Sequence, residues 1–145
     1  LGKLFTIDEA RTLLPVLGAL LRRAREAALR SAELEAEMQA LSQRIYLSGG
    51  MHVDVSAAAR RRATYDKAVQ EARTTLEEID EIGAQVGDVE QGRLEFPALL
   101  EGREVLLCWT LGDEEEIREW REDEDGSSLK SIADGMFRRD RDRLN

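Results

Sequence analysis

A chain with one histidine, one cysteine and two prolines among 145 residues has much familiar site chemistry closed to it. A zinc site usually draws on converging cysteine or histidine ligands and is disfavoured here, and the helical metalloprotease motif needs a histidine pair that this chain lacks. Cys108 alone forms no intrachain disulfide, which removes the cross-linked frameworks of small secreted domains. No phosphate-binding glycine loop, nucleophile elbow or dinucleotide fingerprint is found. No apolar run approaches the length of a membrane span, and the opening LGKLFTIDEA lacks the basic, apolar and small-residue sections of a signal peptide. The expectation is a cytoplasmic protein with no membrane contact. Positive charge is in short supply too: 21 Lys and Arg against 30 Asp and Glu leave a net charge of -9. Nucleic acid and anionic membrane would both repel such a surface, so neither is an expected partner.

What is present reads as helix first. Apolar residues make up 42% and charged residues 35%, as where long helices carry charge on their outer faces. Thr6-Ile7-Asp8-Glu9 forms a capping box, with Phe5 and Ala10 placed for a hydrophobic staple. Pro15 supplies no N–H to a helical ladder, which predicts a short helix and then a kink or restart over 14–16. From there Leu17, Leu20, Ala24, Ala27, Ser31, Leu34, Met38, Leu41 and Ile45 keep coiled-coil spacing for roughly four heptads. Ser48-Gly49-Gly50-Met51-His52 ends that helix. A second helix is expected from a Ser56 cap to Ile82, with Gly83 at its exit and a stripe of Tyr65, Val69, Ala72, Leu76 and Ile79. At about 1.5 Å per residue the two are antiparallel neighbours on the order of 40 to 45 Å long.

The back half changes character. Residues 87–92 read as a turn-rich connection, and Arg93-Leu94-Glu95-Phe96 as a half-buried strand stopped by Pro97. After a turn at Glu101-Gly102, the run EVLLCWTLG over 104–112 is the densest apolar stretch of this half and the expected central strand. Its alternation puts Val105, Leu107, Trp109 and Leu111 on one face and Leu106 and Cys108 on the other. A third strand returns over 117–122 with Trp120 as anchor; a turn at 125–128 and an Arg/Asp-rich tail follow. The predicted fold is one α+β domain over 1–145: a long, coiled-coil-like antiparallel two-helix hairpin over 6–87, a small antiparallel β-meander of about three strands within 88–133, and a charged tail over 134–145. Such a small meander must pack on the helices.

The segments LFTIDEARTLLPVL and GRLEFPALLEGREVLLCWTLGDEEEIREW together resemble the domain-of-unknown-function family 2203 of prokaryotic proteins. Its motifs run F-T-x-x-E-A-x-x-L-L-P, then G-L-V-D-F-P, G-R-x-V-x-L-C-W-x-L-G-E and I-x-x-W-H-E. The resemblance places the family's recurring polar positions on Asp88, Glu95, Arg103, Cys108, Asp113 and Glu122. Arg121 stands where the family commonly has histidine, and Gly126-Ser127-Ser128-Leu129-Lys130 replaces its Gly-Phe and Arg-Pro elements. A histidine-dependent site in relatives would lack its histidine in this chain.

Three kinds of chemistry remain. Cys108 is a nucleophile only with a base and an electropositive setting, and a cysteine in an apolar strand is ordinarily a small buried hydrophobe. The acids of 113–125 and the pair Glu95 and Glu122 would favour a hard divalent cation such as magnesium, manganese or calcium over zinc, against the simpler reading of a solvated charged face. A ligand site beside the tryptophans would draw on Asp88, Glu95, Arg103, Trp109, Asp113, Trp120, Arg121 and Glu122, although core packing is the simpler role for Trp109 and Trp120. Arg60-Arg61-Arg62 near a helix start opposes the helix dipole and offers a weak acidic-partner signal. The preferred expectation is a non-enzymatic hairpin module acting through a homodimer or a protein partner, because two stripes this long exceed what a small sheet covers. Cation or small-ligand binding at the junction of sheet and helices is the alternative.

Overall fold

The computed structural model describes residues 3–49, 53–123 and 128–132. Two helices, α1 (Ile7–Leu47) and α2 (Val55–Ile82), form an antiparallel hairpin. Five strands follow: β1 (Gln85–Asp88), β2 (Arg93–Leu100), β3 (Arg103–Thr110), β4 (Glu119–Glu122) and β5 (Lys130–Ser131). Each pairs antiparallel with the next in sequence order, so the sheet is a meander. The fold is α+β with a long hairpin, as the sequence predicts, and the sheet gains a short strand at each edge.

The N-cap of α1 is Thr6, whose Oγ1 accepts from the Glu9 N–H at 3.1 Å. Phe5 goes into the core, edge-on to Phe96 with ring centroids 5.4 Å apart, while its N–H bonds the Pro97 carbonyl at 2.7 Å. The expected break at Pro15 does not occur: α1 runs unbroken through it for 41 residues, about 60 Å at 1.5 Å per residue. Leu14, Leu17 and Gly18 on either side of Pro15 are buried against the sheet, and that packing holds the helical path despite the missing bond. The cap of α2 is Asp54 in place of the expected Ser56, because its Oδ1 accepts from the Ala57 N–H at 3.0 Å. Gly83 closes α2 in the left-handed conformation.

Residues 85–88, where the sequence predicts the end of the hairpin and the start of the turn-rich connection over 87–92, form β1, and β2 continues through Pro97 to Leu100. Pro97 is tolerated because its carbonyl faces the Phe5 segment, and in extended chain N and C=O of one residue face the same way. The missing N–H therefore points away from β3. β1 pairs only with residues 93–95, so this edge of β2 is open at Pro97. Glu101 and Gly102, both at positive φ, make the two-residue turn that matches the twist of the β2–β3 hairpin.

One face of the sheet packs on the helices. Leu94, Phe96, Ala98 and Leu100 of β2, Val105, Leu107 and Trp109 of β3, and Trp120 of β4 share a core with Ala10, Leu14, Leu17 and Leu21 of α1 and Ile79 of α2. The tip of Trp109 lies over Gly18, where even a Cβ would stand 3.2 Å from the ring. Burial along α1 stops at Ala27. Beyond it the stripe continues through Ser31, Leu34, Met38, Leu41 and Ile45, all only half-buried. No helix among the described residues is long and apolar enough to cross a membrane. Residues 125–127 of the expected turn over 125–128, the charged tail over 134–145 and His52 lie outside the described residues.

Candidate functional site

The register of the meander decides which predicted site residues meet. Glu95 on β2 is opposite Cys108 on β3, and Leu106 on β3 is opposite Arg121 on β4, which sets Glu95, Cys108 and Arg121 on the face turned away from the helices. Trp109 and Trp120 are on the other face, within the core. Glu122 shares their face by register, opposite Val105.

Glu95 is 4% exposed and fully engaged. Arg121 grips it with both arms of its fork, Nε to Oε2 at 2.5 Å and Nη2 to Oε1 at 3.1 Å. The Cys108 thiol donates to Oε2 at 3.7 Å. Space for this carboxylate comes from Gly87 on β1, where a Cβ would stand 2.7 Å from Oε1. The pair bridges over β3 and joins β2 to β4. Burial, then the Glu95 charge, pushes the Cys108 thiol up to about 12. Arg121 is held more firmly protonated by its hydrogen bond to Glu95. A thiol this reluctant to ionise is no nucleophile at neutral pH, and a carboxylate clamped by a guanidinium is no free base. The arrangement ties three strands together, as expected of a buried cysteine and unlike a thiol–base pair.

The remaining candidates are scattered. Asp88 accepts from the Gln91 N–H at 3.0 Å and shapes the β1–β2 turn. Arg103 pairs with Glu122 at 3.3 Å, and Lys130 of β5 reaches the same carboxylate at 3.5 Å while sitting over the Trp120 ring. Asp113 is exposed in the turn after β3, and Trp109 Nε1 donates to the Glu114 carbonyl at 3.0 Å. Arg62 pairs with Asp66 at 3.2 Å and lies against Tyr65, so one member of the arginine triplet is spent within α2.

The predicted cation pair therefore needs correction. Glu95 and Glu122 face opposite sides of the sheet, and each already has a cationic partner. Among the described residues no group of three or more His, Cys, Asp or Glu side chains is placed to hold a metal ion. The sheet's two-residue alternation separates Glu95 from the tryptophans and leaves Glu122 on their face. Sequence reasoning missed Gly87 as the space above Glu95, because a glycine near other turn residues signals a turn before it signals a close approach.

Among curated proteins and among solved structures nothing matches the chain. Residues 3–129, which span both of the motif-bearing segments and the whole hairpin, match the family described as uncharacterized conserved protein (DUF2203), and the chain belongs to that family.

Proposed function

We propose that the protein is a non-enzymatic association module whose distal hairpin joins that of a second copy in a four-helix arrangement. The observation that carries this reading is the change in burial along one uninterrupted stripe. Leu17 and Leu21 share the core with the sheet and Ala24 and Ala27 are still buried, whereas beyond Ala27 the same spacing continues with each residue only half-covered. The far end exposes Tyr46 at 84%, Leu47 at 81% and Val55 at 74%. A sustained apolar stripe is costly to leave wet, and a twofold partner covers it with the same surface that it offers. The clamped Glu95 and the protonated Cys108 favour an architectural role for the most buried polar cluster.

Sedimentation velocity on the full chain over a dilution series tests this. The native chain is expected to dimerise, and the triple substitution Tyr46→Ser, Leu47→Ser and Val55→Ser to shift it to monomer with its helix content intact, since these side chains are exposed in the single chain. A native chain that stays monomeric at its highest concentration overturns the reading.

A further inference from the structure

A groove of about 440 Å³ lies between the middle of α1 and the turn after β3, lined by Arg22, Arg25, Glu26, Leu29, Leu111 and Gly112. Its volume falls in the range of small-molecule sites. Arg22 and Arg25 are one helical turn apart and project to the same side. In a chain with 30 acidic residues, neither arginine has an ion-pair or hydrogen-bond partner among the described residues. Arg25 Nε is shut off from solvent with no acceptor among the described residues, so the outer nitrogens of that guanidinium are the ones open to the groove. The apolar wall comes from Leu29, 47% exposed, and from half-buried Leu111. Glu26 forms no ion pair among the described residues and puts one negative charge on the rim.

We propose that this groove binds a small organic carboxylate with an apolar body. Two guanidinium groups suit a planar oxyanion, which accepts parallel N–H bonds from such forks. Leu29 and Leu111 would gain cover from the body of the ligand. Glu26 sets the charge, since a phosphate dianion meets twice the repulsion of a monoanionic carboxylate at the same distance.

Calorimetric titration of the full chain at constant ionic strength tests this with hexanoate, hexyl phosphate and hexanol, and with butyrate to vary length. Hexanoate is expected to bind saturably, and more tightly than butyrate by roughly threefold to fourfold per methylene. Arg22→Gln with Arg25→Gln should weaken hexanoate by about tenfold or more, as for lost charged hydrogen bonds, with the ligand-free melting temperature unchanged. Leu29→Ser should weaken hexanoate more than butyrate, and Glu26→Gln should improve hexyl phosphate selectively. The proposal is overturned by an absence of saturable hexanoate binding, by equal binding to the double arginine variant, or by hexanol or hexyl phosphate binding the native chain as tightly as hexanoate.

Discussion

Arg121 spans β3 to hold both oxygens of Glu95, the least exposed ion pair among the described residues. Replacing Arg121 by Met leaves a buried carboxylate with only the Cys108 thiol as donor among its described side-chain partners. The expected loss is about 3 kcal/mol of stability in urea unfolding, the low end for breaking a buried pair because the Arg121 side chain is 21% exposed. Adding Glu95→Gln to that variant should recover part of the loss, because the stranded charge is gone. Cys108 supplies a pH signature. Its folded-state pKa is raised from 9.0 to about 12, so its contribution is fully present below pH 9, where folded and unfolded chains are both protonated. Between pH 9 and about 12 the unfolded chain gives up a proton that the folded chain retains, and stability falls with rising pH. Melting curves across this window should fall less steeply for Cys108→Ala, and the native thiol should alkylate slowly at neutral pH.

At the scale of elements, the two prolines show where local rules yield to packing. Pro15 is exposed on α1 and removes an N–H that would otherwise bond the Arg11 carbonyl. An interior proline costs about 3 kcal/mol, less up to about 1 kcal/mol for the stiffness it lends the unfolded chain, so Pro15→Ala should stabilise by about 2 kcal/mol. A rise of roughly 4 to 8 °C in melting temperature would match this for a chain of this size, and no rise would mean that the helix has already adapted. Pro97 ends no strand because its nitrogen faces an edge that β1 leaves open. The Thr6 cap, the Gly83 exit and the Glu101-Gly102 turn were legible because each depends on residues within one turn of chain. Asp54 and Ser56 are both able caps two positions apart, and sequence does not choose between them. β1 and β5 were not legible as strands: at four and two residues they are too short to show a two-residue alternation.

The whole molecule carries -9 charges, so two copies repel as they approach. An apolar hairpin contact should therefore tighten as salt screens that repulsion, and sedimentation at low and high ionic strength would show the dimer fraction rising with salt. A dimer held by ion pairs would weaken instead. The family, the α+β class, the hairpin and the central strand followed from sequence alone, because periodicity, caps and turns act over a few residues. Sequence likewise gathered Glu95, Trp109, Trp120, Arg121 and Glu122 into one neighbourhood. Only the tertiary structure decided that they belong to two faces: strand register puts the tryptophans in the core and Glu95 with Arg121 behind it. It also decided where the stripe of α1 is buried and where it is left half-covered, since that depends on how the sheet and α2 are laid against a helix of 41 residues.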